Sequence, residues 1–329
     1  MKKVLVTSDA MGEKDLARLS KAGTVYASWK MNREKLNEIL PEIDVLVVLA
    51  WPSFLTEEAL SRMKRLKFVQ SILVGVNLIP FQGLSKGVAV ASNAGAYSLE
   101  VGEHAWALLL AAAKNVVSHD IRIRNGAKSL KEFSEETSGI AVLDGKTLGI
   151  VGYGGIGRSV EKYAKVFGMT VLAFGRSRKA PGGVKLLLGK EGLDRILKES
   201  DFVLLSLPLT RSTFRLIGER ELSLMKQDAI LINIARGGLV DEKALYTHLT
   251  TCPAFKYATD VWWFREGRET LETDYPLATL PNFICTPHTS GSTAVMSGRP
   301  GKLAADNVLL YLKGKAPAHL VDGSEYAGM

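Results

Sequence analysis

The chain alternates short apolar runs, rich in β-branched residues, with longer amphipathic stretches. Residues 4–6 are followed by such a stretch at 14–22, and residues 45–49 are followed by another at 56–66. Short continuous apolar runs predict the buried strands of a parallel sheet, and a 3.6-residue period predicts helices that cover it. The alternation therefore predicts an α/β fold.

The same pattern separates the chain into two domains. Residues 98–124, rich in Ala and Leu, predict one long helix that leaves the first domain and enters the second. A last helix, predicted over 304–313, would return to the first domain. We therefore predict two doubly wound parallel-sheet domains with a cleft between them. One is discontinuous, residues 1–99 and 290–329, and the other is residues 100–289.

Composition and charge exclude several classes of protein. Two cysteines, Cys252 and Cys285, give neither a disulfide framework nor metal-ligand spacing, so no metal is predicted. Residues 105–113, the best candidate for a membrane span, are too short, and the N-terminus lacks a secretory pattern. We expect a soluble cytoplasmic protein. The net charge of +8 is dispersed, which favours anionic small molecules over nucleic acid.

Three glycines have the spacing of a dinucleotide-binding fingerprint. Gly152, Gly154 and Gly157 lie between an apolar strand and a helix, and a second strand follows at 170–175. Gly152 permits the tight turn, Gly154 lets the backbone approach a pyrophosphate, and Gly157 lets the helix pack close to the strand. This order favours a dinucleotide site over a simple glycine-rich turn. The continuous domain is therefore predicted to be a Rossmann domain that binds the dinucleotide, and the discontinuous domain a flavodoxin-like domain that binds the substrate.

Polar residues follow four predicted strands of the second domain. They are Ser206, Arg236, Asp260 and His288. Ligands of open α/β sheets lie at the carboxyl ends of strands. An arginine can hold a carboxylate with two hydrogen bonds, and a protonated histidine can donate the proton that accompanies hydride transfer to a carbonyl. The alternatives are a surface arginine and a structural histidine.

These motifs resemble the D-isomer-specific 2-hydroxyacid dehydrogenase family. The matching segments follow the family order over nearly the whole chain. They are residues 75–77, 93–98, 103–105, 152–157, 207–210, 233–238, 260–261 and 286–293. The resemblance implies that Arg236 binds the substrate and that His288 is the general acid/base.

The family's third catalytic residue is a glutamate that pairs with the histidine. In the common pattern it lies five positions after the strand-end aspartate, where this chain has Arg265. A one-residue insertion at Trp262 and Trp263 would assign the role to Glu266, which we predict. Glu269, or a site without a glutamate, is the alternative.

The resemblance also implies the binding residues. The backbone of Val74 and Gly75 would hold the substrate carboxylate, and Trp51 would line the side-chain pocket or pack in the core. The implied cofactor contacts are Gly152, Tyr153, Gly154, Gly155, Ile156, Gly157, Arg176, Ser177, Arg178, Leu207, Pro208, Thr210, Ile234, Ala235, Asp260 and Gly291.

The end of the second nucleotide-domain strand predicts NADP(H) in preference to NAD(H). NAD enzymes carry an acidic residue about 20 positions after the fingerprint begins, to bind the ribose 2′-hydroxyl. Here residues 168–190 contain no acid, and the strand ends in Arg176-Ser177-Arg178. Arg176 can form paired hydrogen bonds with a 2′-phosphate. The alternative is that these arginines are simply solvated.

We therefore predict NADPH-dependent reduction of short 2-oxo acids, such as glyoxylate or hydroxypyruvate, to D-2-hydroxy acids. A homodimer is expected through the nucleotide domain, because Trp106 and residues 108–110 supply more apolar surface than one helix face buries. One alternative is a phosphoglycerate dehydrogenase, less favoured because the chain ends soon after its last helix. Formate dehydrogenase is also less favoured, because that enzyme needs no proton donor. A dinucleotide-sensing protein with little turnover is the alternative from another class.

Overall fold

The chain divides into two compact units. The computed structural model describes residues 1–133, 139–176, 186–293 and 297–327. Unit 1 comprises Met1–Tyr97 and Gly291–Met329, and unit 2 comprises Ser98–Ser290.

Unit 1 contains a five-stranded parallel sheet. Its strands are β1 (Lys3–Val6), β2 (Thr24–Ala27), β3 (Val45–Val48), β4 (Phe68–Ser71) and β5 (Ala89–Ala91). They lie in the order β2-β1-β3-β4-β5, which is the flavodoxin-like winding predicted for this domain.

Unit 2 contains a six-stranded parallel sheet and a small hairpin. Its strands are β6 (Thr147–Val151), β7 (Thr170–Phe174), β8 (Phe202–Leu205), β9 (Ile230–Asn233), β10 (Lys256–Thr259), β11 (Phe264–Arg265), β12 (Arg268–Glu269) and β13 (Phe283–Cys285). The parallel strands lie in the order β13-β10-β9-β8-β6-β7, and β11 pairs with β12 in antiparallel fashion. This is a Rossmann-type sheet, so the predicted fold class of two parallel α/β domains is confirmed.

Helices follow most of the strands along the chain. They are α1 (Glu13–Ser20), α2 (Arg33–Ile39), α3 (Glu57–Arg62), α4 (Ser98–Ala113), α5 (Val116–Arg124), α6 (Gly155–Val166), α7 (Gly189–Glu199), α8 (Glu219–Leu224), α9 (Glu242–Thr251) and α10 (Arg299–Leu312). Among the residues that the structure describes, none of the helices has the length and apolarity needed to cross a membrane.

The sheet of unit 1 is apolar on both faces, because successive side chains of each strand enter different cores. In β1, Val4 and Val6 belong to one buried cluster, whereas Leu5 belongs to another. In a strand that is covered on both sides, every position is buried. This explains why the strands read as continuous apolar runs.

The prediction of a single helix over residues 98–124 is wrong. The structure ends α4 at Ala113 and starts α5 at Val116, with Asn115 between them at φ +53°. The Lys256 amine donates to the Ala112 carbonyl (2.9 Å) and to the Asn115 side chain. Since the last carbonyls of a helix have no partner within it, this lysine stabilises the end of α4.

Candidate active site

The carboxyl ends of four strands in unit 2 lie side by side. Asn233, the last residue of β9, is in register with Leu205 of β8 and Thr259 of β10, and Thr259 is in register with Cys285 of β13. The segments that follow these residues therefore begin at one edge of the sheet. Arg236, Asp260 and His288, predicted from strand ends, all lie in those segments.

The fingerprint glycines fit a dinucleotide. Gly152 has φ +103°, and a Cβ there would lie 2.7 Å from the Leu207 nitrogen. A Cβ on Gly157 would lie 2.8 Å from the Gly152 oxygen, so α6 packs directly on the turn. Gly154, the N-cap of α6, has open space where its Cβ would be. Only glycine leaves that space for a phosphate at the helix N-terminus.

Tyr153, between the first two glycines, is fixed by the helix that follows. Its hydroxyl donates to Glu161, which also pairs with Lys165 at 2.7 Å. Burial and the Glu161 carboxylate raise the pKa of Tyr153 to about 12. The hydroxyl therefore stays protonated, and it ties the glycine turn to α6.

The segment after β8 is anchored to the glycine turn. The Ser206 hydroxyl donates to the Gly152 carbonyl at 2.6 Å, which places Leu207 and Pro208 beside that turn. Thr210 is only 4% exposed, and its hydroxyl bonds within its own turn. Its side chain therefore shapes the loop, and its predicted cofactor contact stays a prediction.

The other predicted cofactor residues differ in their surroundings. Ile234 is buried and Ala235 is half-buried, both in the segment after β9. Arg176 is exposed two residues past β7, whereas Ser177 and Arg178 lie outside the described residues. Gly291 is the first residue of the second segment of unit 1, where a Cβ would lie 3.1 Å from the Tyr97 ring.

Arg236 is held by a turn after β9. The Asn233 side chain accepts from the Ala235 amide at 3.1 Å and donates to the Arg236 carbonyl at 2.9 Å. The Arg236 guanidinium is half-buried and donates to the Ala235 carbonyl at 2.6 Å. A fixed guanidinium at a strand end can receive a carboxylate with two parallel hydrogen bonds.

His288 forms a close pair with a glutamate. Its Nδ1 lies 2.6 Å from Oε2 of Glu269, and the side chains are 41% and 20% exposed. Because a carboxylate only accepts hydrogen bonds, Nδ1 carries the hydrogen of this bond. The other ring nitrogen, Nε2, is then the atom that can exchange a proton with a ligand.

The predicted pairing of His288 with Glu266 is wrong. Glu266 and Gly267, at φ +50° and +77°, form the two-residue turn between β11 and β12. That turn places Glu266 at the exposed tip of the hairpin, and Glu269 returns towards the sheet. The choice of Glu266 rested on counting residues from Asp260 as if the chain were extended. A glycine in a two-residue turn between short strands is a hairpin signal, and the hairpin brings Glu269 to His288 instead.

Asp260 fixes the segment that carries His288. Its carboxylate is fully buried and accepts from the Thr286 hydroxyl at 2.6 Å and from the amides of Thr289 and Ser290 at 3.0 and 2.9 Å. Burial alone would raise the pKa of Asp260, but hydrogen bonds from Ser290, Thr286 and Thr289 outweigh it and lower the pKa. The role predicted for Asp260, contact with the cofactor, stays a prediction.

His104 of α4 belongs to the same cluster. Its Nε2 lies 2.9 Å from the Thr286 hydroxyl and 3.5 Å from Oδ1 of Asp260. His104 thus connects α4 to the strand end that precedes His288. Its position in the family-like segment 103–105 is the signal that could have suggested this.

The predicted substrate residues belong to unit 1. The Trp51 indole donates to the Leu55 carbonyl at 3.0 Å and its ring packs against the unit 1 core, in accordance with the core-packing alternative. Val74 is 36% exposed and Gly75 is half-buried, in a loop after β4. The Asn93 side chain ties down the start of that loop. Binding of substrate by these residues stays a prediction.

Comparisons with known proteins identify the family. Residues 106–290 match the model of the D-isomer specific 2-hydroxyacid dehydrogenase family, NAD binding domain. The chain is 34% identical to the glyoxylate reductase of Pyrococcus furiosus over 88% of this chain and 85% of that protein. It is 36% identical to the D-3-phosphoglycerate dehydrogenase of Methanocaldococcus jannaschii over 98% of this chain, but it spans only 60% of that relative.

A solved structure is also similar over its full length. An acyclic imino acid reductase, in complex with NADPH and D-Arg, superposes with a TM-score of 0.76 at 25% identity, covering 97% of this chain and 100% of the other. The family model covers more than half of the chain. The chain belongs to the D-isomer specific 2-hydroxyacid dehydrogenase family. It is an oxidoreductase whose nucleotide domain takes a nicotinamide dinucleotide.

The buried carboxylate of Asp260 predicts a pH-dependent loss of stability. Because the folded pKa is lowered, the stabilisation is present above the ordinary value of 3.8 and is lost as pH falls through the folded value. Asp260→Asn should therefore lower the free energy of unfolding at pH 7 by about 2–3 kcal/mol. The difference in free energy of unfolding between the variant and the wild type should become smaller below about pH 4.

Urea denaturation across this pH range measures both effects. Asp228→Asn, at an exposed aspartate, is the control and should change stability by less than about 0.5 kcal/mol. An Asp260→Asn protein as stable as wild type at pH 7 would show that the hydrogen bonds to Asp260 contribute no net stability.

Proposed function

We propose that the protein reduces short 2-oxo acids to D-2-hydroxy acids with His288 as the proton donor. The observation that carries the proposal is the pair formed by His288 and Glu269, together with the alignment of the strand end that precedes His288 with the strand end that precedes Arg236. In a domain that takes a nicotinamide dinucleotide, a positioned acid and a carboxylate-binding arginine match this chemistry.

The mechanism assigns one task to each residue. Arg236 pairs with the substrate carboxylate and orients the neighbouring carbonyl. His288 holds a proton at Nε2 and donates it to the carbonyl oxygen, since Nδ1 is bonded to Glu269. Glu269 keeps the ring oriented through that bond. The fingerprint glycines and the N-terminus of α6 would hold the pyrophosphate of a dinucleotide, whose reduced nicotinamide would supply the hydride.

Glyoxylate and hydroxypyruvate are the substrates proposed. The glyoxylate reductase of Pyrococcus furiosus supports this class of substrate. The second candidate is oxidation of D-3-phosphoglycerate, which the identity to the Methanocaldococcus protein over almost this whole chain favours. Steady-state assays of both reactions with both cofactors discriminate between them, and no turnover in any assay would favour a dinucleotide-sensing protein.

The proposal predicts that His288→Asn lowers kcat with glyoxylate by at least about 100-fold and leaves cofactor affinity nearly intact. Proton transfer by a positioned side chain is typically worth about 10²–10⁴-fold. Glu269→Gln should also lower kcat, by roughly 10- to 100-fold, because the charged imidazole loses its partner.

Glu266→Gln is the matched control for these variants, since it changes a glutamate of the same hairpin and should leave kcat unchanged. Rates are measured under conditions in which chemistry limits turnover. If His288→Asn kept most of its turnover, His288 would have no part in the mechanism.

We further propose NADP(H) in preference to NAD(H). Arg176 supports this preference because it is exposed just past the end of β7, where no acid is available for a ribose 2′-hydroxyl. An exposed guanidinium can form charge-assisted bonds to a 2′-phosphate. The similar acyclic imino acid reductase was solved with NADPH.

Arg176→Asp should therefore reduce the ratio of kcat/KM for NADPH to that for NADH by roughly 10- to 100-fold. The reason is the loss of one or two charge-assisted hydrogen bonds. Binding of each cofactor, measured by fluorescence titration, should follow the same trend. Lys198→Asp makes the same charge change at an exposed site on α7 and should not alter the ratio. A wild-type protein that used both cofactors equally, or preferred NADH, would refute the assignment.

We also propose that the protein is a cytoplasmic homodimer held together by unit 2. The structural argument for this dimer comes from α5 and not from α4. Trp106, Leu108 and Leu109 are buried, so the reason given from the sequence was wrong. The ring of Trp106 lies 6.0 Å from that of Tyr163 within unit 2. The helix α5 carries four exposed apolar residues, and exposed apolar patches commonly mark interfaces. They are Val116, Val117, Ile121 and Ile123.

Sedimentation at micromolar concentration should therefore give about 72 kDa, twice the chain mass of 35.8 kDa. Ile121→Lys combined with Ile123→Lys should shift the protein towards monomer, because two charges would have to be desolvated in the interface. Leu78→Lys, at a side chain of unit 1 that is 53% exposed, is the control. A wild-type species of about 36 kDa would contradict the dimer.

A further inference from the structure

Trp262 is hydrogen-bonded both to Glu269 and to Thr286, which lies two residues before His288. Its backbone amide donates to Oε1 of Glu269 at 2.7 Å, while Oε2 of the same carboxylate pairs with His288. Both oxygens of Glu269 are therefore engaged, in different directions. The carboxylate cannot rotate away from Trp262 without also moving relative to the imidazole.

The indole of Trp262 is bonded to the segment that leads to His288. Its Nε1 donates to the Thr286 carbonyl at 2.9 Å, two residues before His288. The side chain is 5% exposed, and its ring lies edge-on to Phe283 of β13 at 5.9 Å. The main chain of Trp262 thus fixes Glu269, and its side chain fixes the strand end that leads to His288.

The turn that follows Arg236 packs on the same residue. An ideal Cβ on Gly237 would lie 2.3 Å from the carbonyl carbon and oxygen of Trp262, and 2.7 Å from the Trp263 nitrogen. Such distances are possible only because residue 237 has no side chain. The backbone next to Arg236 is therefore in direct contact with the peptide group of Trp262.

We propose that Trp262 is a positioning residue that sets the separation and orientation of His288 and Glu269. The proposal rests on the proposed function, in which this pair holds the proton for the substrate carbonyl. Loss of the indole N–H frees the Thr286 carbonyl, so the segment 286–288 shifts relative to Glu269. The bond at Nδ1 then weakens, and the ring spends less time with its proton on that nitrogen.

Trp263 provides a matched control within the same segment. It is 6% exposed, and its Nε1 donates to the Val240 carbonyl at 2.9 Å. Replacing either tryptophan by phenylalanine removes one buried indole hydrogen bond of equal length. Only the bond of Trp262 leads to the strand end before His288, so a general loss of stability would affect both variants alike.

The experiment compares full-length wild type, Trp262→Phe, Trp263→Phe and Glu269→Gln. Selective ¹⁵N labelling of the five histidines gives the ring nitrogen shifts of His288, with His288→Asn for assignment. These spectra need no substrate or cofactor and report which ring nitrogen carries hydrogen. Steady-state kinetics then give kcat and KM for glyoxylate and NADPH.

Trp262→Phe should shift the His288 ring nitrogens towards their positions in Glu269→Gln and lower kcat roughly 10-fold, with KM for NADPH within about twofold. Trp263→Phe should keep the wild-type shifts and kcat. Should Trp262→Phe fold poorly, benzothienylalanine at position 262 preserves the ring and lacks only the N–H.

Wild-type shifts in a folded Trp262 variant, or equal shifts in the two tryptophan variants, would overturn the proposal. Failure of the proposed function is seen separately, as a wild-type protein without 2-oxo acid reduction. The spectra still test the positioning role in that case, because they are recorded without turnover.

Discussion

The buried carboxylate of Asp260 is the interaction on which the site depends. It lies at the end of β10 and accepts hydrogen bonds from three residues of the segment that follows β13. A fully buried charge is costly unless hydrogen bonds satisfy it. Here those bonds come from the irregular segment that carries His288, so the energy that keeps Asp260 ionised also holds His288 in position.

Two linked groups of contacts therefore position His288, the proposed proton donor. Asp260, Thr286 and His104 fix the strand end from one side, and Trp262 fixes it from the other while it holds Glu269. These residues are contributed by α4, the end of β10, the hairpin and the end of β13. Such a site can be precise although His288 itself lies in a loop, because each neighbour is attached to regular structure.

The sequence allowed prediction of the features that depend on local pattern. Apolar runs identified the strands because a sheet covered on both faces buries every position. Glycine spacing identified the turn between β6 and α6 because backbone sterics require glycine there. Residues after strand ends identified Arg236 and His288 as candidates, since parallel strands bring their carboxyl ends to one edge. The family resemblance added their expected roles.

Features that depend on distant contacts could not be predicted in this way. The end of α4 is bonded by Lys256, which is far along the chain, and Glu269 reaches His288 because a hairpin reverses the chain at Glu266 and Gly267. The burial of Trp106 depends on Tyr163 and Phe167 of the neighbouring helix region. Tertiary packing, which leaves no local pattern, decided the end of α4 and the burial of Trp106, whereas the hairpin had a local signal in Gly267 that counting from Asp260 did not use.

The anchoring by Asp260 also has a consequence for motion. Loops that carry functional residues are usually among the least stable parts of a protein and open first in local unfolding. The amides of Thr289 and Ser290 are bonded to a buried carboxylate. Their hydrogens should exchange with solvent as slowly as those of the central strands. The segment around His288 then behaves as part of the rigid core of unit 2, and it opens only when the sheet itself unfolds.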